Sequence, residues 1–174
     1  MWKTANRIML LLTLGVVIWQ IVYWYPQLPD VIPSHFDSQG NVDGEMAKTP
    51  FFVLMTCLNA LFLIGFPLLG KLLSKLPDSL INLPNKEYWL APERRESTVA
   101  QTTNFLAAIG WITSWLMIGI IQLSALVAIG SRETINPESG VLIGVYVVAI
   151  FGMVAWLFWS YRIPKEADAL RQTA

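Results

Sequence analysis

Residues 8–25 form a run of 18 without a charge, and further apolar runs follow at 51–73, 105–129 and 141–161. Lys71 is the single charge within the second run, near its end. At about 1.5 Å per residue the first run spans about 27 Å, close to the hydrocarbon thickness of a bilayer. The apolar residues come in blocks rather than in amphipathic alternation, and only 14% of the chain is charged, against roughly one quarter in soluble domains. These runs predict an all-α membrane protein with four transmembrane helices and a small extracytoplasmic loop cap between helices 1 and 2. Residues 1–174 are read as a single integral membrane domain. The helices are expected at about 8–25, 51–73, 92–129 and 141–162, with an outer loop at 26–50 and a second loop at 74–91.

Punctuation along the chain supports these limits. A basic start, Lys3 and Arg7, precedes the first run, and the Trp19–Tyr25 end offers no small-x-small cleavage site. The run therefore reads as an uncleaved helix rather than a signal peptide. Its terminal aromatics, Trp19, Tyr23, Trp24 and Tyr25, suit an interfacial belt, and Pro26 ends it. Pro67 predicts a kink in the second helix. Ala91-Pro92-Glu93 reads as a helix start, with proline at the first position and an acid in the first turn. Trp156, Trp159 and Tyr161 read as the interfacial end of the fourth helix, before a charged tail from Lys165 to Ala174.

Orientation follows from the basic residues. With the N-terminus inside, Lys3, Arg7, Lys71, Lys75, Lys86, Arg94, Arg95, Arg162, Lys165 and Arg171 are cytoplasmic, and only Lys48 and Arg132 lie outside. That is a strong positive-inside bias. It predicts a multi-pass protein of the cell (cytoplasmic) membrane with both termini in the cytoplasm. Net charge is zero, so there is no basic face for nucleic acid. The single cysteine, Cys57, lies in an apolar run and leaves no Cys cluster and no Cys/His metal spacing.

The outer loop is the most informative stretch. It holds the only histidine, His35, together with Asp30, Asp37, Asp43 and Glu45. Gly40-Asn41 and Asp43-Gly44 are turn dipeptides, and Ile32 to Phe36 is a candidate strand. His35 and Asp37 face one side of an extended segment. With Asp43 or Glu45 they make a candidate divalent-cation set, but one histidine without cysteine is a weak ligand set. The commoner role for such residues is to hold loop backbone in place. No cofactor is implied.

Two further groups stand out. Gln20, Asn59 and Gln122 lie inside helices, all in the outer half by depth. They are read first as interhelical hydrogen-bonding groups and second as a polar crevice under the loop, roofed by His35 and Asp37. Tyr88, Trp89, Arg94 and Arg95 form a candidate cytoplasmic interface, with interfacial anchoring as the simpler account. Gly140, Gly144 and Gly152 give the fourth helix a small-residue stripe suited to close packing against a neighbouring helix or a second copy.

The stretch Leu28-Pro-Asp-Val-Ile-Pro-Ser-His-Phe-Asp-Ser-Gln-Gly-Asn-Val-Asp-Gly-Glu-Met-Ala-Lys48 resembles the loop signature of a bacterial multi-pass membrane family of unknown function. The matching positions are Leu28, Pro29, Ile32, Pro33, His35, Phe36, Asp37, Gly40, Asp43, Gly44 and Lys48. That family's domain also forms the N-terminal part of SdpI-type proteins, which give immunity to a secreted toxin and relay its presence. Residues 82–95 are similar to the cytoplasmic loop of its stand-alone members. The resemblance implies the architecture and an outer loop of unassigned function, with His35, Asp37, Asp43, Gly44 and Lys48 as its candidate site; a peptide or envelope component is the ligand expected there. No nucleophile elbow, Cys/His pair or phosphate loop points to catalysis. The expected function is therefore non-enzymatic, SdpI-like envelope sensing or immunity. The alternatives are a metal-handling protein or membrane enzyme built on His35, Asp37 and Asp43, and a structural subunit using the glycine stripe.

Overall fold

The computed structural model describes residues 2–164, so the tail from Lys165, including the expected cytoplasmic cations Lys165 and Arg171, lies outside it. In chain order the elements are α1 (Trp2–Trp24), β1 (Val31–Phe36), β2 (Val42–Ala47), α2 (Lys48–Leu73), a single turn α3 (Lys86–Trp89), α4 (Pro92–Ala128) and α5 (Glu138–Ser160). Helices α1, α2, α4 and α5 are each long and apolar enough to cross a membrane. The chain is mostly helical but not all-α, because the segment between α1 and α2 is a two-stranded antiparallel sheet.

The helix limits differ from the apolar runs in ways the chemistry explains. α1 begins at Trp2, within the polar start, because long polar side chains on a first turn reach water without breaking the helix. α2 begins at Lys48 rather than at residue 51. Pro50 is therefore in its first turn, where the missing N–H has no intrahelical partner anyway. Midway, Leu61–Gly65 widens into a π-helical turn just before Pro67. Pro67 cannot donate to the carbonyl four residues back, and the wider turn absorbs the defect that the sequence suggested as a kink.

α4 is the central element. It runs for 37 residues and carries most of the helical residues that are fully buried. α2 packs closely on it because two glycines remove side chains at the crossing. A Cβ on Gly110 would overlap the Phe62 carbonyl oxygen in the widened turn, and a Cβ on Gly70 would lie 2.7 Å from Thr103 Cα. α5 is peripheral and packs on α4. Its residues Val145, Val148 and Phe151 are exposed. An unbroken apolar surface of this length does not suit water and does suit lipid.

Gly140, Gly144 and Gly152 have nothing within 4 Å of an added Cβ. Among the described residues the stripe therefore packs against no helix, and the close helix approach falls to Gly70 and Gly110. The two ends of the bundle are closed differently. At one end the hairpin core of Leu28 and Ile32 packs with Trp24, Phe51, Phe52, Ile121 and Ala125. At the other, Ile81, Leu83 and Leu90 of the 74–91 loop pack around Tyr161.

Candidate functional site

The hairpin is built almost entirely from its signature residues. Leu28 and Ile32 are its buried feet, and Pro33 offers its carbonyl oxygen to the buried Ser124 hydroxyl of α4. His35 pairs across the strands with Gly44, and a Cβ at Gly44 would come 2.9 Å from His35 Cβ. Glycine at 44 is thus a steric requirement of the histidine opposite. His35 Nδ1 lies 2.5 Å from Asp43 Oδ1, and its side chain is 74% exposed.

Asp37 folds back onto the turn. Its carboxylate accepts the backbone N–H of Gln39 at 2.8 Å and of Asn41 at 2.9 Å, and the Asn41 side-chain amide at 3.1 Å. Gly40 has φ +86°, open to glycine at no steric cost, and its carbonyl accepts the N–H of Ile135 at 3.1 Å. The hairpin tip is thereby tied to the α4–α5 connection. Lys48 closes the base. Its ammonium donates to the Leu28 carbonyl at 2.8 Å, lies 3.8 Å from Asp30 and sits 5.0 Å above the Tyr25 ring.

The turn hydrogen bonds, first those of Asn41, hold the Asp37 carboxyl below its ordinary value of 3.8. A depressed carboxyl adds stability that is fully present above the ordinary value and is lost as pH falls through the folded-state value. Protection of the Gln39 and Asn41 amides, measured as exchange relative to the intrinsic rate at each pH, should therefore stay constant from pH 7 to pH 5 and fall only below 3.8. Asp37→Ala should lower it at every pH.

These contacts bear on the cation set proposed for His35 and Asp37. Asp37 is engaged by the turn and His35 by Asp43, and among the described residues no three His, Cys, Asp or Glu side chains gather as a metal set. The surface left free on the hairpin is its outward one. Val31, His35, Asp43, Glu45 and Ala47 are exposed there. Below it, a cleft of about 210 Å³ opens between Ser34–Phe36, α4 and the start of α5, lined mainly by Ile120, Leu123, Ile135, Leu142 and Ile143. The space beneath His35 is thus apolar, unlike the amide-floored crevice that is the second reading of Gln20, Asn59 and Gln122.

The three amides serve packing. Gln20 is buried and donates to the Ile118 carbonyl at 2.9 Å. Gln122 accepts the Trp24 indole N–H at 2.8 Å. Both lie on the α1–α4 seam. Asn59, also buried, donates to Met55 of its own helix at 2.9 Å, and no hydrogen bond joins it to either glutamine.

At the opposite end, Tyr161 caps the last helix where the sequence reading placed it, but its surroundings differ from those expected. Taken as an interfacial marker, it is instead fully buried. Its carbonyl accepts Trp89 Nε1 at 2.8 Å and Asn85 Nδ2 at 2.9 Å, and its hydroxyl meets Thr102 Oγ1 at 2.8 Å. Asn85 reaches it from a left-handed backbone conformation, φ 53°. Arg94 stacks 4.0 Å over the Tyr88 ring and donates to the Tyr88 carbonyl at 2.7 Å. Arg95 binds Asp78 and the carbonyls of Ser74 and Leu76, at the C-terminal end of α2. A cation there complements the helix dipole. Tyr88, Trp89, Arg94 and Arg95 are therefore largely spent within the chain.

Residues 8–60 match the family model described as a domain of unknown function (DUF1648). The match covers most of α1, the whole hairpin and α2 as far as its widened turn. It leaves out the 74–91 loop, α4 with Ser124, and α5 with Tyr161 just after it. No curated protein and no solved structure matches the chain. In the DUF1648 segment, the signature residues are those that build and seat the hairpin.

Proposed function

We propose that this chain is a non-enzymatic multi-pass protein of the cytoplasmic membrane. Both termini lie inside, and the hairpin is an extracytoplasmic platform for a peptide or envelope component, in keeping with the SdpI-like resemblance of its loop. One observation carries the reading. The hairpin is fixed to three helices and to the α4–α5 connection, while its outward face, with Asp43 and Glu45, is left exposed. That combination suits a preorganised recognition surface, which loses little entropy on binding. Its acids favour a ligand with cationic groups.

Charge supports the orientation. Lys3, Arg7, Lys71, Lys75, Lys86, Arg94, Arg95 and Arg162 all belong to the end away from the hairpin. The geometry favours this reading over metal handling or catalysis at His35, Asp37 and Asp43, since those side chains pair with one another or with the turn. A subunit role through the Gly140, Gly144 and Gly152 stripe is the second reading, favoured by the open space those glycines face.

A photo-crosslinking residue at Glu45 in living cells tests the platform. A discrete adduct from Glu45, lost in the hairpin variant Gly44→Val and not seen from Ser79, is the expected result. The same adducts from both positions, or none from Glu45, would remove the platform reading.

A further inference from the structure

At the end away from the hairpin, a cleft of about 360 Å³ lies between α1, α2 and α4. It contains Lys3, Arg7 and Lys71. None of these has a carboxylate within ion-pair distance among the described residues. Arg95, by contrast, is paired with Asp78.

Each helix changes character at the same depth. On α1 the cleft is lined by Lys3 and Arg7 and then by Leu10. On α2 it runs from Lys71 through Pro67 to Leu63, and on α4 from Thr103 through Ala107 to Trp111. Residues three or four apart share a helix face, so each wall is one stripe that passes from charged or polar to apolar. α2 runs opposite to α1 and α4, and its order along the chain is reversed to match.

Two walls are pinned. Asn6 donates to the Asn104 carbonyl at 3.0 Å and accepts the Trp111 indole N–H at 3.2 Å, which holds α1 to α4. Gly70 lets α2 approach Thr103 closely, which holds α2 to α4. α1 and α2 touch little, so the cleft opens between them.

We infer that this cleft binds an anionic phospholipid: the phosphate lies among Lys3, Arg7 and Lys71, and an acyl chain runs inward past Pro67, Ala107 and Leu63. The chemistry comes from the cleft itself. Cations at the mouth, without a carboxylate partner among the described residues, recognise a phosphate anion, and an apolar floor in line with them accepts hydrocarbon. A free phosphate would satisfy the first and leave the second unused.

The full chain in mild detergent gives the test. Thermal unfolding is followed while phosphatidylglycerol, phosphatidylcholine or inorganic phosphate is added. The expected result is a rise in Tm with phosphatidylglycerol and little with phosphatidylcholine or inorganic phosphate. Arg7→Gln/Lys71→Gln should need roughly thirtyfold more phosphatidylglycerol for the same rise, as expected for two basic contacts near a membrane surface. Its lipid-free Tm should not change, since both side chains are exposed. Lys75→Gln/Arg162→Gln removes two cations from the same end outside the cleft and should keep the response. Should the first double variant fail to fold, Ala107→Leu, which keeps every cation and narrows the apolar floor, should also lose it.

Equal responses to both lipids, or equal losses in the two double variants, would overturn the site in favour of a diffuse charge effect. A full response to inorganic phosphate would overturn the lipid assignment.

Discussion

Gly110→Leu is expected to prevent stable packing of α2 on α4. The new side chain would have to start where the Phe62 carbonyl oxygen already lies, and that oxygen belongs to backbone. Overpacking that a side-chain rotation can relieve costs about 1–3 kcal/mol. Here a helix must move, so a loss at or above the top of that range is expected. It would also pull apart the Gly70–Thr103 approach two turns away. Gly144→Leu on α5 is the control, since nothing lies within 4 Å of its added Cβ. It should change stability by no more than about 0.5 kcal/mol. Denaturant titration of both variants in detergent, followed by helical circular dichroism, separates the two. Equal stability would mean that α2 and α4 do not meet as described.

Tyr161→Ala carries the second large effect. The side chain is fully buried, stands edge-on to Trp89 at 5.6 Å and forms the middle of the small core at that end. Emptying such a site costs about 3–5 kcal/mol for an aromatic residue. Tyr161→Phe keeps the ring and loses the hydroxyl contact to Thr102, worth about 1 kcal/mol. The two variants should therefore differ by several-fold in destabilisation. Proteolysis in the 74–91 loop should rise in Tyr161→Ala and stay low in Tyr161→Phe. If the two behave alike, the ring does not organise the loop.

The four long apolar helices were legible because uncharged length alone announces them. Pro92 marked the start of α4, and Pro67 marked a fault in α2. The form of that fault, a widened turn whose carbonyl rests on Gly110, depends on a partner helix and cannot be seen along the chain. The hairpin was half legible. Asp43-Gly44 looked like a tight turn, yet the chain reverses at Asp37–Asn41, and Gly44 sits in β2 because His35 lies opposite. His35, Asp37 and Asp43 looked chemical since their side chains can do chemistry. The structure uses all three to shape a loop.

The roles of Ser124 and Tyr161 were missed for a common reason. A hydroxyl inside an apolar run resembles a tolerated polar residue, and an aromatic near a helix end resembles an interfacial anchor. Their partners, the Pro33 carbonyl and the Trp89 ring, lie 91 and 72 positions away in sequence. The same distance defeats the cleft at the basic end. Lys3, Lys71 and Thr103 look like separate flanking residues until three helices bring them to one depth.

The central claim is that four helices cross the membrane and hold the hairpin on the outer side. Single cysteines placed in a Cys57→Ala background test it most directly, at Ser38 on the hairpin tip and at Ser79 in the 74–91 loop. Intact cells are treated with a membrane-impermeant thiol reagent. The account predicts labelling at Ser38 in intact cells and at Ser79 only after permeabilisation. Labelling at Ser79 but not at Ser38 in intact cells would contradict the orientation, and labelling at both would contradict the spans themselves.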